Sequence, residues 1–279
     1  MQYNLIHVRQ LNPVIGAEIH GVDLSKPIGE GTFAEIEAAL HAYQVIFFRD
    51  QELDPESHIR FARQFGELEP PHPFFDQIPE HPQVSVLEND EARKPVTNIW
   101  HTDVTWRDKP PMGSVLYGAD IPDCGGDTLW ASMYAVYDAL SEDLKQTLEG
   151  KRAVHSIEVY GASDYDNAKD EASFAEILKK YPPRSHPVIR THPVTGRKAL
   201  FVNSTFTQYI EGMDEAESRH ILDVLFDMVK VPEFQVRFTW AKGSVAVWDN
   251  RVTQHYAVAD YWPRHRRMHR ITINGDTPY

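Results

Sequence analysis

The stretch Trp100-His101-Thr102-Asp103-Val104 sets a histidine and a carboxylate two residues apart. On an extended strand, residues i and i+2 share a face, so an imidazole nitrogen and a carboxylate oxygen can converge on one ion. The run from Asn98 to Thr105 is strand-like and shows no helical period. A second histidine from a distant strand completes a 2-His-1-carboxylate face, which holds Fe(II) and leaves positions open for other ligands. His255, in Trp248-Asp249-Asn250-Arg251-Val252-Thr253-Gln254-His255, is the candidate, and the His-Tyr-Ala that follows reads as continued strand. H-x-D alone is weak, because a histidine hydrogen-bonded to a nearby carboxylate gives the same pattern. The metal and catalytic expectation therefore rests on His101, Asp103 and His255 together.

Outward from this stretch, short strands alternate with a few helices. Thr32-Phe33-Ala34-Glu35 has the spacing of a capping box, with Phe33, Ile36, Leu40 and Tyr43 on one helical face. Val45 to Phe48 reads as a buried strand, and Asp54-Pro55 opens a second helix. Ser132 caps a helix bearing Tyr134, Tyr137, Leu140, Leu144 and Leu148, and Asp214 opens another. Gln235 to Trp240, Lys242-Gly243 and Ser244 to Trp248 read as a hairpin, and Arg270 to Ile273 as a closing strand. Many short strands with peripheral helices predict a mainly β fold, a double-sheet jelly roll, as a single domain over residues 1–279. Residues 161–183 are polar and are the candidate lid; a solvated connection is the alternative.

Composition narrows the partners. A formal net charge of −13 argues against nucleic acid or a membrane surface as partner, since both need a basic field. No apolar stretch approaches the length of a membrane span. The start, Met1-Gln2-Tyr3-Asn4, lacks the pattern of a signal peptide, so a cytoplasmic location is expected. The single cysteine, Cys124, rules out an intramolecular disulfide framework or a cysteine-rich zinc site. Trp262 fits an interface or the core equally well, which leaves a homo-oligomer, dimer or tetramer, open.

With this acidic balance, small anions must be captured by individually placed cations. Arg266 lies eleven residues after His255, and Arg270 four further. A dicarboxylate held on a metal by one end needs its far carboxylate neutralised, and arginine does this bidentately. Thr128 can add a hydroxyl to the same carboxylate. A solvated basic turn is the bland reading of Arg264-His265-Arg266-Arg267.

Taken together, the blocks Gln44–Asp50 with Phe65-Gly66-Glu67-Leu68, Trp100–Thr105, Gly125–Trp130, Phe201-Val202-Asn203, Pro232–Arg237, Trp248–Tyr256 and Met268-His269-Arg270 span nearly the whole chain. Through them the sequence resembles the α-ketoglutarate-dependent taurine and 2,4-dichlorophenoxyacetate dioxygenases, and within that family the taurine enzymes. The resemblance implies a double-stranded β-helix binding Fe(II) through His101, Asp103 and His255. It implies α-ketoglutarate held by Thr128 and Arg266, with O2 as the other co-substrate. Arg270, His72 and the backbone amide of Val104 resemble the groups that grip a sulfonate, and Phe206 matches an aromatic pocket wall. The implied reaction hydroxylates the carbon next to sulfur in taurine or a related small alkanesulfonate, releasing sulfite and an aldehyde with succinate and CO2.

The sequence departs from the taurine pattern at the amine end of the substrate. Phe75 stands where that pattern has a tyrosine, Thr97 where it has an asparagine, and Gly161 where it has an aromatic residue. A phenyl ring accepts no hydrogen bond from an ammonium, although its face can offer a cation–π contact. Alkyl sulfate esters and aryloxyacetates, whose anionic ends also suit Arg270 and His72, are the nearest alternative substrates. A non-catalytic metal- or sugar-binding jelly roll and a zinc hydrolase are the alternatives from other classes. The first has no use for a co-substrate arginine, and the second needs a general base that is not evident here.

Overall fold

The strand Val45–Phe48 buries all four of its side chains, and this shows how the fold is layered. Alternate residues of a strand point to opposite faces. Val45 and Phe47 join Leu116, Trp248 and Met268 against Trp130, Val236 and Phe238. Ile46 and Phe48 join Val115, Val247 and Ile271 against Ile36, Leu40, Ile59 and Phe61. The sheet is therefore covered by a second sheet on one face and by helices on the other. Burying each aliphatic or phenyl side chain of this size contributes about 1.5–3 kcal/mol. Phe47 also stacks on Phe238 with ring centroids 4.0 Å apart.

The computed structural model describes residues 2–72, 75–160 and 171–279. Its main sheet has eight strands in the order His7–Gln10, Ala17–His20, Val45–Phe48, Val245–Asp249, Gly113–Asp120, Arg266–Ile273, His81–Asn89 and Asp76–Ile78. All neighbours are antiparallel except Ala17–His20 with Val45–Phe48. The facing sheet is Gln235–Phe238, Thr128–Ser132 and Thr253–Ala257. Two packed sheets with helices outside make the double-stranded β-helix, or jelly roll, expected from the sequence.

The local rules hold at three helix starts. The Asp54 side chain accepts from Ser57 N at 2.7 Å, Ser132 Oγ from Ala135 N at 3.2 Å, and Asp214 from Glu217 N at 3.0 Å. They fail at the first helix, which runs Glu30–Tyr43 and begins before Thr32. Glu35 is drawn away to accept the backbone N–H groups of Asn4, Leu5 and Ile6. The helix after Ser132 breaks into Met133–Ala139 and Glu142–Leu148, the second capped by Ser141.

Two sequence expectations need correction. Gln235–Phe238 and Val245–Asp249 are not a hairpin; each belongs to a different sheet. Phe238 and Trp240 fill the layer between the sheets, so the chain must cross from one to the other before Val245. Gly243, at φ +81°, makes the crossing possible, because a Cβ there would lie 2.7 Å from the Gln51 carbonyl oxygen. Nor do His101 and Asp103 share a strand. His101 forms a single bridge with His255, and the chain then turns. Of the expected lid, 161–170 lie outside the described residues. Beyond them, in and just after helix Glu171–Lys180, Ile177, Leu178 and Tyr181 pack on Val104, Trp106, Ile157 and Phe206.

Candidate active site

His101 and His255 exchange backbone hydrogen bonds, His101 N to His255 O at 3.1 Å and His255 N to His101 O at 2.8 Å. The pairing sets their rings 4.1 Å apart. Thr102 adds a bond from its Oγ1 to Thr253 O at 2.9 Å. Asp103 follows the bridge, and its Oδ1 lies 3.7 Å from His101 Nε2 and 3.9 Å from His255 Nε2. One ligand atom from each of the three residues falls within 4.8 Å of the others, and all three residues are buried. These separations are too long for hydrogen bonds. The three residues named from the sequence lie together, and a bridge and a turn bring them there rather than a strand.

The protonation states suit metal binding. His101 Nδ1 lies 2.7 Å from Ile99 O, which only an N–H can satisfy, so Nε2 keeps its lone pair. Burial holds His101 below its ordinary pKa and pushes His255 down to about 3, so both rings are neutral ligands near neutrality. Burial raises the Asp103 carboxyl, but the Arg270 guanidinium together with the neighbouring His255, His101 and His72 outweighs it, and the carboxyl settles at about 2. Two neutral imidazoles and one carboxylate, facing one another without bonding, fit an Fe(II) ion.

The cationic residues follow from strand alternation. Arg266, Met268 and Arg270 point to the buried face of Arg266–Ile273, and Arg267 and His269 to the other. Four residues of strand separate the two arginines by about 13 Å. Arg266 lies over the rings of Trp240 and Tyr261, at 6.0 and 5.5 Å, and donates to Gly126 O at 3.3 Å. Thr128 accepts from Trp240 Nε1 at 2.9 Å, so Trp240 touches both candidate co-substrate residues. In register, Trp130 pairs with His255, and Thr128 is on the same face as Trp130. At the other end, Arg270 Nη1 stands 3.4 Å from Asp103 Oδ1. The Arg270 guanidinium lies 5.0 Å from the Phe75 ring, which is 4.4 Å from His72. Burial, then Arg270 and Arg107, push His72 down to about 3.

Val104 is buried with φ at +55°. A β-branched residue there is a backbone outlier costing about 1–3 kcal/mol. Its N–H donates to no atom among the described residues. Phe206 is buried beside Val104, its N–H bonded to Asn203 Oδ1 at 3.0 Å. Thr97 is half-buried in the loop before the triad and makes no hydrogen bond to it among the described residues. Gly161 lies outside the described residues.

Some residues at the site went unassigned at the sequence level. Arg107 pairs with buried Glu69 at 2.8 Å, close enough to Arg270 and His72 to affect their charge balance. Asn250, within the Trp248–His255 stretch, bonds to the Asp103 backbone. Neither has a spacing that could have revealed it. A second group, His41, His192 and Asp249, also falls within metal-binding distance. The hydrogen bonds of His192 and Asp249 are already filled. His192 Nδ1 accepts from Val194 N and Thr195 N, so its Nε2 donates to Asp249 at 2.9 Å. Asp249 also takes Arg251 Nε at 2.8 Å and Nη2 at 2.6 Å. This group braces the turn ahead of Thr253.

A double-stranded β-helix with two imidazoles and a carboxylate converging beside buried arginines defines the Fe(II)- and α-ketoglutarate-dependent dioxygenases. The chain belongs to the family described as taurine catabolism dioxygenase TauD, TfdA, whose model matches residues 7–272. It is 40% identical over 270 residues to the alpha-ketoglutarate-dependent sulfate ester dioxygenase of Pseudomonas putida, covering 95% of this chain and 88% of that one. It superposes on the crystal structure of a taurine dioxygenase from Burkholderia xenovorans with a TM-score of 0.85 and 38% identity, covering 99% of this chain and 91% of the other. It also superposes on AAD-2 in complex with Mn(II) and N-oxalylglycine, with a TM-score of 0.83 and 29% identity over 98% of each chain. The protein is an α-ketoglutarate-dependent dioxygenase that uses Fe(II), α-ketoglutarate and O2. Among the described residues no helix is long and apolar enough to cross a membrane.

Proposed function

We propose that the substrate is a small alkyl sulfate ester, oxidised at the carbon that bears the ester oxygen. In this reading His101, Asp103 and His255 hold Fe(II), and Arg266 with Thr128 holds the far carboxylate of α-ketoglutarate. When bound, the metal and co-substrate supply the oxidation of a C–H bond by O2, with α-ketoglutarate leaving as succinate and CO2. The chain's own task is to place that C–H bond and keep water out. Arg270 and the Val104 N–H take the sulfur oxyanion, and neutral His72 adds one N–H donor.

The observation that carries the choice of substrate is what lies beside the anion end. Val104, Trp106, Ile157 and Phe206 form an apolar cluster there, and Phe75 presents a ring to Arg270. Such walls suit an alkyl tail and leave an ammonium without an acceptor. The similarity to a sulfate ester dioxygenase points the same way. Hydroxylation at that carbon gives a hemiacetal sulfate, which collapses to an aldehyde and sulfate.

An alkanesulfonate, taurine included, is the second reading. The anion grip is the same, and a solved neighbour is named a taurine dioxygenase. That substrate yields sulfite instead of sulfate, so the products separate the two. Purified protein with Fe(II), α-ketoglutarate and O2 is to be offered hexyl sulfate, pentanesulfonate and taurine. Hexyl sulfate is expected to release one sulfate per succinate at the highest kcat/KM. Taurine or pentanesulfonate winning, with one sulfite per succinate, would transfer the assignment to sulfonates.

A further inference from the structure

Asp103 needs a partner for its backbone that the fold does not give it. The bridge between the two ligand strands ends at His101 and His255, and Asp103 already lies in the turn. The side chain of Asn250 takes the place of a strand. Its Oδ1 accepts from Asp103 N at 2.8 Å, and its Nδ2 donates to Asp103 O at 3.0 Å and to Pro111 O at 3.2 Å. Asn250 is itself 1% exposed, and its own N–H is fixed to Met112 O at 2.8 Å. The amide has no freedom to turn.

One peptide unit links this clamp to the anion end. The Asp103 carbonyl and the Val104 N–H belong to the same planar trans peptide and point in opposite directions. Holding the carbonyl toward Asn250 therefore aims the Val104 N–H away from it. Val104 is buried, and its N–H has no acceptor among the described residues. Val104 pays for the arrangement with φ at +55°, a region that a β-branched residue leaves unless it is held.

We infer that Asn250 is a positioning residue which, through the Asp103–Val104 peptide, holds the anion-binding N–H in place beside the candidate iron carboxylate. The part concerning the anion rests on the functional reading above; the clamp on the peptide does not. In Asn250→Ala the peptide rotates, Val104 relaxes to negative φ, and the N–H leaves the site. The Arg266 and Thr128 end, on other strands, is untouched.

The test has two arms. In the first, the crystal structure of Asn250→Ala is compared with that of the wild type. A rotated peptide with Val104 at negative φ supports the clamp; an unchanged positive φ overturns it, whatever the substrate proves to be. In the second, binding is followed without oxygen by the visible absorption of the Fe(II)–α-ketoglutarate chelate. Asn250→Ala is expected to weaken hexyl sulfate binding at least ten-fold and α-ketoglutarate binding less than three-fold. The same substitution in a Val104→Gly background is expected to cost less than three-fold, because glycine adopts positive φ without strain. Equal losses for both ligands, or an undiminished loss in the glycine background, would mean that Asn250 acts only as general scaffolding. Asn250→Asp, which keeps the acceptor for Asp103 N–H, serves should the alanine variant fail to fold. It too should impair hexyl sulfate binding more than α-ketoglutarate binding, and equal impairment counts against the clamp. If the wild type binds no sulfur oxyanion at all, the substrate assignment fails, and the first arm still decides the clamp.

Discussion

Phe75 marks where one atom should change what the site accepts. Its ring lies beside both His72 and Arg270 and lacks any acceptor for an amine. Phe75→Tyr adds a hydroxyl. A hydrogen bond from an ammonium to it contributes on the order of 1–2 kcal/mol, or roughly ten-fold in kcat/KM. We expect taurine turnover to rise by about that factor while hexyl sulfate changes little; a gain shared by both substrates would place the hydroxyl away from the amine end. The residue scale is also where the sequence was most legible. His101, Asp103 and His255 are chemically unusual together, and motifs announce them. Arg107, Glu69 and Asn250 are not announced. Each acts through a contact with a residue far along the chain, which no local spacing encodes.

The turn between Val245–Asp249 and Thr253–Ala257 shows what the sequence leaves open at the scale of elements. Asp249 and its partners His192 and Arg251 are buried there, and Arg251 with His192 holds the carboxyl far below its usual range against the penalty of burial. Removing one member of a buried charge pair leaves the other uncompensated, a loss of about 3–5 kcal/mol. Asp249→Ala should therefore lower the Tm of the metal-free protein by several degrees, measured by calorimetry. Loss of iron binding at an unchanged Tm would instead make Asp249 a site residue. Strand existence was legible because alternation is a local signal. Sheet membership was not: Gln235–Phe238 and Val245–Asp249 read as a hairpin until Phe238 and Trp240 are seen filling the layer between sheets. The Thr32 capping box failed for a similar reason, because the N-terminal segment took Glu35.

At the scale of the whole molecule, buried histidines make stability sensitive to acid. Burial pushes His58 from 6.5 to about 3 and His186 to about 4, and lowers His155 well below its ordinary value. Below pH 6.5 the unfolded chain gains protons that the folded chain refuses, so stability falls as pH drops from about 6.5 toward 3. For His58 alone the loss at pH 5 is on the order of 2 kcal/mol. His58 Nε2 bonds the Val115 carbonyl, a role glutamine can keep. His58→Gln should lose less Tm than the wild type between pH 7 and pH 5; parallel Tm curves would show that His58 titrates freely in the folded state. The two-sheet architecture was legible from pattern, because it depends on a sum over many residues.

Arg266–Ile273 also works as a ruler. Both arginines are fixed to one backbone, at a spacing set by its repeat, in a strand hydrogen-bonded on both sides. A slip of one residue would turn Arg266 and Arg270 outward and bring Arg267 inward in their stead, removing both buried guanidinium groups in a single event. Insertions and deletions should therefore be lethal to activity in this strand and tolerable in the loops between Asn89 and Trp100. In the proposed reading, drift toward new substrates is thereby channelled into the apolar side chains Phe75, Trp106 and Phe206, which can change one at a time while the distance between the two charges stays fixed.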